Sequence, residues 1–533
     1  MISMIPVFLL VAASILLQIL GRIRFSAGKT WLISSIVAVA AWVSLILIRI
    51  LMPSGMQIAG WLPGMSTLDT IVFKFSEDTW VPGFFLISLL VAVIFYEARF
   101  LESGNYVNIL TGTMALSAFG LLSILSASGL TFLLAWVLID IAEFSVLTFL
   151  VKEESKHQIA VTSLFTRGIG ILLLILLLVL QSADGLSQLE NENSSVFGIL
   201  VILVAVMRMG IVPVHIPYSE DPKIRRGIGS ILRYTPVLSV FSFLMTVGPQ
   251  EFSRSQTNWL TAVITIAALF GAVSWYFAKN KLAGRPYWIF TLGCLALLGT
   301  IRSSIDVIIG ITVMMIAGGA GLFLPSPRNR GISVFITLLV GGMLCIPYTP
   351  TAMLPGGFWG EQFALSNIII IACISLLISG WIIHVLRNDD EVEQHENWVW
   401  LFQVMALIIL TATPWINEIF FLKKVSTFNY WWYAFLLFIV SGLILAAHFY
   451  RKRENNQIST IYTRFKRVID PVLSFADRFL RFEWVIQIFK GLGSLVTVGM
   501  NLVVRVLEGD GGILWSFLFL VLLASLLITG QGR

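Results

Sequence analysis

Val206–Pro222 reads VMRMGIVPVHIPYSEDP. A long apolar run ends there in Arg208, His215 and two prolines, Pro213 and Pro217. Proline lacks the N–H a helix needs and clashes with the turn before it, so the helix breaks at this point. Whether the break lies in water or at membrane depth decides how the chain folds.

Composition answers that question. The chain has 533 residues, 57% hydrophobic and 12% charged, with a mean hydropathy of +0.90, well beyond an ordinary soluble domain. Apolar runs long enough to cross a core of roughly 30 Å recur along the sequence, about sixteen in all. The expected fold is all-α, a polytopic membrane protein. The first run, Ile5–Leu20, has no basic region before it and no small-residue cleavage site after it, so it reads as a membrane helix and not a leader. In such a chain a break at Arg208 must line protein or water, because lipid satisfies no backbone groups.

The net charge of +6 comes from loop Lys and Arg and speaks first to topology. Alternate connections carry Arg22, Arg24 and Lys29, then Arg99, Lys152 and Lys156, Lys223, Arg225 and Arg226, Lys279, Lys281 and Arg285, Arg328 and Arg330, Arg387, and Arg451–Arg453. The intervening ones are poor in base, as in SADGLSQLENENSS at Ser182–Ser195, with Lys423 and Lys424 the discordant pair. This places the N-terminus outside and the basic loops in the cytoplasm, in a cell inner (cytoplasmic) membrane. No basic aromatic patch suggests nucleic acid. Cys294, Cys345 and Cys373 lie in apolar segments without a C-x-x-C, so they read as small core residues; no metal or cofactor is expected.

A second interruption, CIPYTPTAMLPGGFWGEQF at Cys345–Phe363, stands in a comparable place further along. Paired broken helices point to an internal repeat with a polar pathway at the breaks. The chain accordingly divides into residues 1–106 with three helices and 107–247 as a first repeat broken near 208–217. A second repeat, 258–386, is broken near 347–361, and 398–450 holds two more helices. Residues 451–510 mix charge and apolarity at the spacing of an amphipathic lateral helix, and 511–533 form a last crossing. Tryptophans such as Trp398, Trp400, Trp431 and Trp432 read as interface belts and packing.

Ionisable residues at membrane depth are functional candidates by default. Asp140 and Glu143 lie three apart inside TFLLAWVLIDIAEFSVLTFLV, on one helical face. Arg208 precedes the first break, His215 lies within it, Arg233 follows in the next helix, and Glu361 ends the second break. Each also has a plainer reading: Asp140 with Arg208 as a structural ion pair, and His215 bonded to a carbonyl freed by its flanking prolines.

These residues resemble the antiporter-like membrane subunits (L, M and N types) of respiratory complex I and their relatives in Mrp cation/proton antiporters, membrane hydrogenases and inorganic-carbon uptake systems. AWVLIDIAEFS is similar to the family's W-E-x-x-x-L-x-S-Y, with Asp140 in the glutamate's place. LFTRGIGIL offers Thr166, Arg167 and Gly168 of an N/T-R-x-G-D element but no acid. RMGIVPVHIPYSED matches Pro213 and His215 of the broken helix, with Glu220 at its acid and Arg208 where lysine is expected. GSILR puts Arg233 in place of a histidine, and GGFWGEQF resembles a G-N-F-x-G-E element ending in Glu361. The histidine and lysine expected in IDVIIGITVMMIAGGAGLF are absent. RVLEGDGGILWSFLFLVLL resembles the end of a lateral helix and the last crossing of L-like members, which makes this a divergent L-like chain.

The resemblance implies two inverted repeats, partner membrane subunits with a soluble partner on the cytoplasmic side, and relays in which a lysine loses its proton. Arginine cannot take that part, since its pKa stays above about 12. Three readings stay open. Protons or sodium ions pass by way of Asp140, Glu143, His215 and Glu361, with the arginines as fixed counter-charges, in a non-redox subunit of an NADH:quinone oxidoreductase-like or Mrp-like translocase. Alternatively the chain is a transport-inactive scaffold, or its cations attract bicarbonate in a carbon-uptake system.

Overall fold

The computed structural model describes residues 2–23, 26–51, 56–58, 71–101, 106–150, 154–183, 195–210, 226–248, 250, 252–320, 330–359, 365–387, 397–421 and 431–453, with 471, 474–475, 491, 494, 497–501, 516–523 and 525 beyond them. His215 and Glu361 lie outside the described residues, as does most of the expected lateral helix. Residues Met1–Leu473 form one compact unit and Ser474–Arg533 another. The described residues of the second unit are helical and expose apolar side chains such as Phe517, Phe519 and Leu520.

The first unit is a helical membrane bundle. Its helices are α1 (Ile5–Arg22), α2 (Ala27–Leu51), α3 (Glu77–Glu97), α4 (Tyr106–Ile124), α5 (Gly129–Leu150), α6 (Glu154–Ala183), α7 (Ser195–Arg208) and α8 (Ile228–Val247). They continue as α9 (Arg254–Tyr276), α10 (Lys281–Ile301), α11 (Ile305–Met314), α12 (Arg330–Met343), α13 (Leu354–Trp359), α14 (Leu365–Leu386), α15 (Asn397–Phe421) and α16 (Trp431–Arg453). Among the described residues, twelve helices are long and apolar enough to span a membrane, and α7 and α11 are shorter apolar pieces.

Several ends are set by local chemistry. Ser76 and Thr79 cap α3 reciprocally, Ser253 and Gln256 do the same for α9, and the Asn280 side chain accepts from Ala283 N–H to start α10. The turn between α10 and α11 puts Ser303 in the left-handed region at φ 55° and closes through Ser304 N–H on the Gly299 carbonyl at 2.9 Å, a Schellman-type ending without its usual glycine.

Burial sorts helices that hydropathy cannot separate. α3 is buried along its whole length, wrapped by α2, α4, α8 and α15, and α8 is almost as enclosed. The faces of α1, α2, α6 and α16 instead expose Ile, Leu and Phe, as a lipid-facing helix does. Trp398, Trp400 and Trp431 are exposed near helix starts, whereas Trp80, Trp136, Trp275, Trp288 and Trp381 are fully buried. The three cysteines are free and buried.

Two local features are absent from the hydropathy pattern. A short antiparallel hairpin, β1 (Met56–Ile58) with β2 (Ile71–Phe73), pairs Met56 with Phe73 and docks on the α4–α5 connection through Lys74 N–H to Leu125 O and Ala127 N–H to Val72 O. Beyond α11 the chain continues as a π-helix over Met315–Ala320. The Trp288 and Trp381 indoles donate to the carbonyls of Met315 (3.4 Å) and Gly318 (2.5 Å), supplying donors from outside the helix.

Candidate functional site

α5, α6 and α7 bring four buried charges together. On α5, Asp140 and Glu143 share a face; on α6, Ser163, Arg167 and Gly170 follow at intervals of four and three; α7 ends at Arg208. Arg208 is 1% exposed and donates from Nη1 to Asp140 Oδ2 at 2.6 Å. The Arg167 Nη1 donates to Glu143 Oε2, and Ser163 Oγ donates to the other oxygen of Glu143 at 3.3 Å.

The two pairs touch. Asp140 Oδ1 accepts no hydrogen bond and lies 3.9 Å from Arg167 Nη1. Arg208 also donates to the carbonyls of Arg167 and Trp136, each at 3.4 Å, and its guanidinium sits 4.8 Å from the centre of the Trp136 ring. The indole of Trp136 donates in turn to Ser239 Oγ on α8 at 2.6 Å, and Ser239 meets Ser123 of α4 at 2.5 Å. Thus the charges are tied to the α4–α8 interface through a neutral side chain.

Glycine makes room for the stem of Arg208 and shapes the turn beside Arg167. A Cβ at Gly170 would lie 2.7 Å from Arg208 Cδ, and Gly210, at φ +62° in the turn ending α7, would place one 3.5 Å from Arg167 Nη2. The bend at Gly210 is therefore both a left-handed backbone position and the wall behind a guanidinium. A crevice of about 10 Å³, room for about one water, opens beside the cluster between Phe144, Leu147, Ala160 and Leu164.

Arg208 thus ends α7 and meets Asp140, while the prolines expected to break this helix, Pro213 and Pro217, lie outside the described residues. Arg233 is half-buried on α8. Arg167 is the member absent from the set of candidate residues, although it is the sole charge inside the apolar span Ala160–Gln181 and belongs to the T-R-x-G element. Position alone was enough to find it.

Most of the second interruption, 345–359, lies among the described residues. α12 ends at Met343, Cys345 and Tyr348 adopt positive φ, and helix resumes at Leu354. Thr351 Oγ donates to Gly342 O at 2.6 Å and accepts from Cys345 N–H at 3.2 Å, satisfying both sides of the gap. Arg302, at the end of α10, donates to Phe358 O, to Asn367 Oδ1 at 2.9 Å and to Ser366 Oγ at 2.9 Å, fastening α13 to α14. No group of three or more metal-ligating side chains occurs among the described residues.

No protein-family model and no curated sequence matches the chain. Its fold is that of two solved membrane assemblies. A chain of the Mrp complex from a Dietzia species aligns with a TM-score of 0.63 at 11% identity, covering 94% of this chain and 63% of that one. A chain of the membrane-bound sulfane sulfur reductase, described as an archaeal respiratory membrane complex, aligns at 0.65 and 11% identity, covering 98% and 99%. This chain therefore spans less than two thirds of the Mrp chain's length and nearly all of the reductase chain's.

Proposed function

We propose that this chain is a membrane subunit of an Mrp-like or complex I-like assembly in a cytoplasmic membrane, and that it couples or conducts the movement of protons or sodium ions through the Asp140–Glu143–Arg167–Arg208 cluster. One observation carries this reading: Asp140 lies between two guanidinium groups, bonded to Arg208 through Oδ2 while its Oδ1 stays open 3.9 Å from Arg167. Arg167 is already on Glu143, so a small swing would transfer it to Asp140.

That swing has a chemical consequence. Glu143, released from its cation, is on this reading the group that takes up the transported proton or sodium ion. The crevice at Phe144 and Ala160 has room for about one water beside the two carboxylates. Neither arginine needs to titrate; each stays charged, and the carboxylates alternate. On this reading His215 and Glu361 extend the route at the two breaks, Arg233 is a fixed counter-charge, the N-terminus is outside, and neighbouring membrane subunits and a cytoplasmic soluble partner complete the assembly.

The test is ion flux in vesicles carrying the purified assembly. Native flux lost in Asp140→Asn and Glu143→Gln supports the reading. Flux absent from the native assembly and from every variant leaves the scaffold reading in place, which the closed two-acid, two-base count of the cluster favours. That same count leaves no surplus positive charge for an anion such as bicarbonate, so carbon uptake is the weaker alternative.

A further inference from the structure

A separate buried polar stripe runs along α15. Gln403, Thr411, Pro414 and Glu418 follow at helical spacing on one face, with Asn417 beside the last. The four polar residues are all buried, Asn417 completely. Gln403 Nε2, Thr411 Oγ1, both amide atoms of Asn417 and Glu418 Oε2 have no hydrogen-bond partner. Pro414 adds a fifth unsatisfied position, since it has no N–H for the Leu410 carbonyl one turn back.

Protein interiors rarely leave such groups dry, and a membrane bundle less so. The helices around α15 do not satisfy them: it packs on α3, α12 and the π-helix, and the α3 face is almost wholly apolar. A cavity does adjoin the stripe. It measures about 10 Å³, room for one water, and is lined by Pro414 and Trp415, by Pro350 and Thr351 of the second break, and by the end of α12 with Val313, a mostly apolar wall in which Thr351 is the polar side chain. Pro414 and Trp415 lie between Thr411 and Glu418 on the helix, so the cavity lies beside the middle of the stripe, one turn from each of those two side chains and lined by neither.

We propose that α15 carries a file of buried water that enters at the second helix break, satisfies Thr411 and Asn417, and ends at Glu418, which exchanges a proton with it. This route is separate from the four-charge cluster on α5–α7. That the file serves transport rests on the function proposed above; that water fills it does not.

Labelling separates the two. In the assembled protein with Cys294, Cys345 and Cys373 changed to alanine, silver ion, which needs water to reach a thiol, is expected to react with Thr411→Cys and Asn417→Cys at least about 100-fold faster than with Val93→Cys, a fully buried site on α3. In the unmodified chain, hydroxyl radicals generated from bound water are expected to oxidise Trp415 at least about tenfold faster than Trp42 of α2, which is likewise half-buried. The second measurement decides where a cysteine variant fails to assemble. Equal rates within either pair overturn the proposal. With labelling positive, a Glu418→Gln variant that keeps native flux removes Glu418 from the route, whereas a native assembly without flux removes the transport reading and leaves the water file standing.

Discussion

Gly170 on α6 lies against the stem of Arg208 on α7, where a Cβ would come within 2.8 Å of both Cγ and Cδ. The cation reaches Asp140 only because that position has no side chain. Gly170→Val should push the guanidinium off Asp140 and off the Trp136 face, destabilising the bundle by about 1–3 kcal/mol as overpacking does. Unfolding in a detergent titration would measure it; a variant as stable as the native chain would show that the two helices part easily.

Asp140 and Arg208 should respond unequally to conservative change. Asp140→Asn leaves Arg208 without its counter-charge and removes the charge that would receive Arg167, so ion flux through the reconstituted assembly should fall at least about tenfold, more than 1.4 kcal/mol in barrier. Arg208→Lys keeps the charge and restores a base that can titrate, so flux should hold or rise. Parallel flux assays at matched protein content compare them.

Glu143 and Arg167 should be coupled strongly. Removing one partner of a buried ion pair strands a charge and costs about 3–5 kcal/mol, while replacing both with apolar residues of similar volume is often neutral. Glu143→Leu alone should therefore destabilise the chain well beyond Glu143→Leu with Arg167→Met. A double-mutant cycle on detergent unfolding reads this coupling, and additive losses would contradict it.

Arg302 should govern the second break. Its bonds to Phe358 O, Asn367 and Ser366 are charge-assisted, worth about 1.5–3 kcal/mol each in mutational terms. Arg302→Ala should raise amide hydrogen exchange across 349–359 by at least about tenfold while leaving α3 and α8 protected. Mass-spectrometric exchange would show it.

Much of this was legible in the residues themselves. Hydropathy length marked the spans, prolines marked the interruption that follows α12, and i,i+3 spacing placed Asp140 and Glu143 on one face. Arg208 as a partner of Asp140 followed from there being few charges to pair. What periodicity could not reveal was which apolar helix is enclosed: α3 and α2 read alike as strings, and only neighbours distinguish a post in the core from a lipid-facing wall. For the same reason the stripe on α15 escaped notice, because Gln403, Thr411 and Asn417 are uncharged and ordinary until burial leaves them unpartnered. Arg167 was visible and passed over, since the element that contains it lacks its acid. The π-helix carries no sequence signature at all; it becomes apparent through the two indoles that reach its carbonyls.

Those indoles have a consequence for how the chain tolerates length. A π segment holds one residue more than an α-helix of the same closure, so excising a single residue from Met315–Ala320 would let the wind relax to the ordinary period. Five residues of π wind and four of α each close about one turn, so the flanks would keep nearly their present phase. The Met315 and Gly318 carbonyls would instead pass to N–H groups of the helix itself, and the Trp288 and Trp381 indoles would lose their acceptors. The surplus residue is thus held by two side chains on other helices, and its excision would be read as a changed environment of those two tryptophans.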